Sequence, residues 1–304
     1  MSKKPISVNY HLTRLCNFRC VFCFHTQKTK YILPLDKAVQ GLKLLKEAGT
    51  KKINFAGGEP FLYPKFLGEL IKQCKVNIGI EKVSVITNGS LVTKSFFEQF
   101  GKYIDVFGVS CDSFDKETNI KIGRGTKGDN VVKLFEIRDL CKQFGIKFKL
   151  NTVVCTYNKN ENMVANIKKL NPDRWKVFQV LIVKGENESS DKLRDATKFQ
   201  ITNEEFEQFK ERHKEVECMV CESNDNMKSS YFILDEYMRF LDKGDGEETH
   251  SDSILDVGVE KALENIHYDE NEFKKRKGDY LLNNLQDDCR TCESESEVND
   301  LFDF

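Results

Sequence analysis

Apolar and polar positions alternate in short β-type runs at 6–11 (ISVNYH), 51–56 (KKINFA), 82–87 (KVSVIT), 105–111 (DVFGVSC), 146–154 (IKFKLNTVV) and 174–182 (RWKVFQVLI). Longer stretches of helical period lie between them. In LDKAVQGLKLLKEAG the apolar positions Ala38, Leu42, Leu45 and Ala48 recur every three or four residues, and Gly49 is placed to end the helix. Strand and helix repeated in turn predict a parallel sheet with helices outside it. Six such units fall short of the eight of a closed barrel. An open, partial (β/α)6 barrel fits, as does a doubly wound sheet. After about residue 185 the rhythm stops, and ENESSDKLRDAT and DKGDGEETHSDS read as solvated loops. The expected organisation is a barrel over 1–185, a helix-and-loop region over 186–285 that closes the lumen, and a mobile tail over 286–304.

Composition narrows the classes. The chain has 304 residues, 39% hydrophobic and 31% charged, with 47 basic against 48 acidic side chains and a net charge of −1. That suits a globular protein with a large core, and it supplies no overall field toward nucleic acid or a membrane surface. The opening MSKKPISVNYHL has no apolar signal region, and no stretch approaches the ~18 apolar residues of a membrane span. The expectation is a soluble, cytoplasmic protein without a membrane anchor or nucleic-acid partner. Eleven cysteines, an odd number, then point to reduced thiols with metal or redox use for some.

Three of those thiols, Cys16, Cys20 and Cys23, stand at spacings of four and three in CNFRCVFC, just after the first strand, with Phe22 before the third. Buried free thiols, a zinc ion with a remote fourth ligand, or an iron–sulfur cluster with one iron left open would each accommodate three cysteines. AGGEP (56–60) ends the second strand, where Gly57 and Gly58 permit close backbone approach and Glu59 and Pro60 fix a carboxylate and a turn. ITNGS (86–90) ends the third. All three stretches fall on the C-terminal edge of the strands, where α/β barrels keep their chemistry.

This combination resembles the radical SAM superfamily. The resemblance implies a [4Fe–4S] cluster on Cys16, Cys20 and Cys23, whose open iron is chelated by S-adenosylmethionine. It further implies reductive cleavage to a 5′-deoxyadenosyl radical, with Gly57, Gly58 and Glu59 along the methionyl amino group and Phe22 beside the cofactor.

The period of two carries a second signal. Lys52 and Asn54 share one strand face, as do Lys149 and Asn151, and Arg174 and Lys176. Helices cover the outside of a barrel strand, so these side chains are expected in the lumen. Four cations there repel one another at low dielectric and call for a multiply charged anion, a triphosphate above all. S-adenosylmethionine carries no phosphate, so the cations imply a separate anionic substrate.

The segments SVNYHLTRLCNFRCVFCFHT, KINFAGGEPF, SCDSFD, IGRG, NPDRWKVFQ, SNDNMKSSYFILDEYMRFL and SILDVGVE resemble the viperin family of radical SAM enzymes, from about residue 6 to 285. The resemblance implies dehydration of a nucleoside triphosphate, CTP in the animal enzyme, to its 3′-deoxy-3′,4′-didehydro analogue, an antiviral chain terminator. By position, Ser110 and Arg124 would bind the cofactor's carboxylate and Asn88 would lie near its ribose. Lys52, Lys149, Arg174 and Lys176 would bind the triphosphate, and Asn9, Asn54 and Asn151 the sugar and base. Tyr231 would lie over the ribose and supply a hydrogen atom or a proton. A reductase would donate electrons. The animal enzyme begins with an amphipathic helix; with the cysteine motif opening at Cys16, that anchor is expected to be absent here. The terminal VNDLFDF resembles tails that recruit iron–sulfur assembly machinery. CMVC (218–221) and CRTC (289–292) are not family features and could hold a zinc ion or an auxiliary cluster. An auxiliary cluster would suit a peptide-modifying enzyme instead, and a non-catalytic antiviral scaffold is the alternative of another class.

Overall fold

The computed structural model describes residues 3–125, 130–183, 186–188, 192–243, 249–279 and 282. Six strands form where the alternation predicts them: β1 (Ser7–His11), β2 (Lys52–Ala56), β3 (Lys82–Thr87), β4 (Val106–Ser110), β5 (Lys147–Val154) and β6 (Arg174–Gln179). They are parallel and adjacent in chain order. Helices α1 (Leu35–Glu47), α2 (Pro64–Gln73), α3 (Lys94–Phe100), α4 (Lys116–Ile122), α5 (Asn130–Gln143) and α6 (Val164–Leu170) fill the crossovers. Helix α1 buries Ala38, Leu42 and Leu45 as its spacing requires, and Gly49 follows at φ +95°.

The region after residue 185 differs from the helix-and-loop expectation. Beyond α7 (Asn203–Arg212), strand β7 (Met219–Glu222) adds to β6 in parallel. Beyond α8 (Asn224–Ser229), strand β8 (Phe232–Leu234) adds to β1, also in parallel. Antiparallel β9 (Arg239–Leu241) and β10 (His250–Ser253) follow. The sheet therefore runs β10-β9-β8-β1-β2-β3-β4-β5-β6-β7. These strands escaped the sequence because they have only three or four residues, too few for a period of two to register.

Each barrel strand sorts its side chains by the pleat. Outward residues such as Tyr10, Phe55, Val85, Phe107, Leu150 and Trp175 are wholly buried beneath the helices, each contributing about 1.5–3 kcal/mol of burial. The inward positions are mostly polar or charged, with Ala56, Ile86, Val106, Val153 and Phe178 among them, and they line one continuous cavity.

Candidate active site

The cysteine loop follows β1 and is held on three sides. From the β2 side, the Gly58 and Glu59 amides donate to the Thr13 and Leu15 carbonyls at 2.6 and 2.7 Å. This approach needs glycine, since a Cβ on Gly58 would stand 2.0 Å from the Leu15 oxygen. From the end of α4, Arg19 N donates to Gly123 O (3.1 Å) and Val21 N to Ile122 O (3.0 Å). From the end of β3, the Asn88 amide donates to Asn17 Oδ1 (2.9 Å), and Asn17 donates onward to Ser90 Oγ (2.9 Å). The paired glycines thus bring the backbone against the cysteine loop itself as well as against the cavity.

Cys16, Cys20 and Cys23 all border the cavity. Burial pushes the Cys16 and Cys20 thiols up to about 11 and about 12, and raises Cys23. Among the described residues no three His, Cys, Asp or Glu side chains converge on a single-ion position. Three thiolates suit a cluster, in which each takes a different iron. Loading it requires the thiols to release their protons. Ser110, Asn88, Phe22 and Arg124 border the same upper part of the cavity. Asp112, fully buried, aims Arg124 by accepting from its Nε at 2.5 Å. Burial opposes the Arg124 charge, but Asp112 and the nearby thiols outweigh it and raise its affinity for the proton.

Glu59 lies elsewhere than expected. It is fully buried and is not part of the cavity wall. Its carboxylate accepts from Thr87 Oγ1 (2.6 Å), Asn88 N (2.8 Å) and Phe61 N (2.9 Å). It is the post that fixes the end of β3, through Thr87 and Asn88.

The floor belongs to the opposite strand ends. Lys52 opens β2 and Arg174 opens β6. Lys149 is paired across the sheet with Arg174, and Asn151 with Lys176. Asn9 is paired with Asn54. All seven border the cavity, so the four lysine and arginine side chains do share one lumen. Desolvation and mutual repulsion lower Lys52 to about 7 and push Lys149 well below its ordinary value. Desolvation also lowers Lys176 to about 7, against the pull of Glu222.

Tyr231 closes the wall before β8. Its hydroxyl accepts from Lys176 Nζ (2.8 Å) and donates to Glu222 Oε2 (2.5 Å), and the Arg276 guanidinium lies over its ring at 3.7 Å. Arg174 donates to the carbonyls of Arg276 (3.0 Å) and Lys277 (3.2 Å), which brings the 276–278 segment across the floor. The sequence reading missed Arg276 because it stands in a basic run, KKRKG, of the kind that solvated helix ends carry. It missed Lys243 and His11 as well, which border the cavity beside Phe24, Leu181 and Ile233. The inward parity of β1 would have found His11.

Comparison with known proteins decides the family. The sequence matches the Radical SAM superfamily over residues 10–196. It is 49% identical to the S-adenosylmethionine-dependent nucleotide dehydratase RSAD2 of Oncorhynchus mykiss, over 92% of this chain and 81% of that one. It is 50% identical to that of Danio rerio, over 91% and 78%. The chain belongs to the radical SAM nucleotide dehydratase (viperin) family. A bacterial relative, the S-adenosylmethionine-dependent nucleotide dehydratase of Flammeovirga pacifica, is 36% identical over 90% of this chain and 95% of that one. Solved radical SAM structures share the fold at low identity. Streptococcus suis SuiB bound to S-adenosylmethionine has a TM-score of 0.65 at 17% identity, covering 89% of this chain and 67% of SuiB. Native anSMEcpe with bound AdoMet gives 0.64 at 17%, covering 89% and 83%. As in the rest of the viperin family, the cofactors are a [4Fe–4S] cluster and S-adenosylmethionine.

Cys218 and Cys221 flank and enter β7, half-buried, and CRTC lies outside the described residues, as does VNDLFDF. Among the described residues no helix is long and apolar enough to cross a membrane.

Proposed function

We propose that this chain dehydrates a nucleoside triphosphate, CTP foremost, to the 3′-deoxy-3′,4′-didehydro nucleotide, a chain terminator with an antiviral role. One observation carries the reading: a cofactor roof and a polycationic floor are built on opposite ends of the same strands and face one cavity.

When bound, the cluster and S-adenosylmethionine supply one-electron hydrogen-abstraction chemistry. The chain's own side chains do the rest. Lys52, Lys149, Arg174 and Lys176 hold the triphosphate, and Arg276 and Lys277 come down over it. Asn9, Asn54 and Asn151, one layer above, orient the ribose so that its 4′-carbon points to the roof. Tyr231 faces the sugar and supplies the hydrogen atom or proton that completes the loss of water. Phe24, Leu181 and Ile233, with His11 and Lys243, offer the base an apolar wall edged with polar groups. Positioning of the reacting carbon is the protein's principal contribution. A one-electron reductase serves as donor.

The deciding experiment is anaerobic. The reconstituted protein is given dithionite, S-adenosylmethionine and CTP, UTP, GTP or ATP separately, and products are weighed by mass spectrometry. The expected result is 5′-deoxyadenosine formed only with the preferred nucleotide, together with a triphosphate lighter by one water. Equal slow 5′-deoxyadenosine with every nucleotide and no dehydrated product would overturn the substrate assignment and bring the peptide reading forward.

A further inference from the structure

A carboxylate stands where a triphosphate site has least use for one. Glu222, at the end of β7, is fully buried. It is in contact with two residues that border the cavity, Lys176 and Tyr231. Its carboxylate pairs with the Lys176 ammonium and takes the hydrogen bond of the Tyr231 hydroxyl at 2.5 Å, and Arg276 approaches to 4.0 Å. Lys176 in turn donates to the Tyr231 oxygen at 2.8 Å, so the three groups form a closed triangle.

Each side of that triangle removes a freedom. A tyrosine hydroxyl rotates to suit its neighbours. Here its proton is directed to Glu222 and its lone pair to Lys176, which leaves one orientation. A buried lysine sheds its proton readily, more so with other cations near it. The basic groups around Lys176 are Lys149 on β5, Arg174 on β6 and Arg276, and Glu222 on β7 is the anion against them.

We propose that Glu222 is a positioning residue for the reaction, an internal counter-ion that keeps Lys176 an ammonium and Tyr231 in a single hydroxyl orientation for the triphosphate and ribose to be placed against. The inference rests on the nucleoside triphosphate reading of the cavity. Glu222 does not touch the substrate; it acts through the two residues that do.

The test uses reconstituted holoenzyme with S-adenosylmethionine and compares wild type, Glu222→Gln, Glu222→Asp and Tyr231→Phe. Binding of inorganic tripolyphosphate is titrated between about pH 6 and 9, and kcat is measured with the preferred nucleotide. Glu222→Gln is expected to lower kcat about 10-fold or more, and to move the pH above which tripolyphosphate binding weakens about one unit lower. Tyr231→Phe should lower kcat and leave that pH where it is in wild type. Glu222→Asp retains the charge on a shorter arm, so it should keep the wild-type pH profile and lose kcat. A loss of kcat in Glu222→Gln with an unmoved pH profile would make Glu222 merely structural and overturn the proposal. Wild-type kcat in Glu222→Asp would overturn it too, including in the event that the Gln variant does not fold. If wild type binds neither tripolyphosphate nor any nucleotide, the triphosphate reading itself has failed.

Discussion

Under the proposed function, Lys52 and Lys176 are buried cations that serve as a recognition device. Both are held at about 7, by desolvation and by the arginines around them. A polyanion placed among them restores their ordinary proton affinity, so binding draws protons from solution between about pH 7 and 10. Triphosphate affinity is therefore expected to be level below about pH 7 and to fall as pH rises above it. Calorimetry in two buffers of different ionisation enthalpy should show net proton uptake at pH 8, and uptake near zero would contradict the assignment. Neutralising one of these side chains, as in Lys52→Met, is expected to weaken tripolyphosphate binding about 10-fold or more. The same variant should leave S-adenosylmethionine binding unchanged, because the roof lies at the other end of β2.

At the scale of elements, the cysteine loop is defined less by its own residues than by what grips it. Gly58→Ala puts a methyl group 2.0 Å from a backbone oxygen and forces the loop away from β2. The expected outcome is about 2–4 kcal/mol of lost stability, with iron retained per chain falling well below wild type after reconstitution and desalting. Iron content and Tm equal to wild type would show that the loop does not depend on this contact. The sequence announced this architecture unevenly. The six barrel strands were legible because a parallel strand under helices must be apolar outward, and a lysine or asparagine at every second position then stands out. Lys149 and Asn151 could be placed in the lumen for that reason alone. Glu59 was legible as part of a motif but not in its role, since a carboxylate beside a turn can face a ligand or its own backbone, and only burial separates the two. Glu222 was not legible at all. Its strand is four residues long and shares CMVCE with a cysteine pair that draws attention to metal instead.

Across the whole molecule, the chain after residue 185 completes the sheet at both margins, β7 against β6 and β8 against β1. Arg14 ties these parts together. Buried beside the cysteine loop, it meets Glu186 two-pronged at 2.8 and 2.9 Å and Glu236 through Nε at 2.9 Å. Arg14→Met would leave two buried carboxylates without their cation and is expected to destabilise by about 3–5 kcal/mol, read as a fall in Tm. A Tm within a degree of wild type would refute that. The separation of roof from floor has a consequence for ancestry. Side chains at the two ends of a strand lie several residues apart, so the residues at one end can be exchanged while those at the other are kept. A lineage could in this way inherit its radical chemistry intact and acquire a different substrate through a handful of replacements at the starts of β2, β5 and β6. Kinship in the cysteine loop would then speak for the reaction type, and the lysines and arginine beneath it for what is transformed.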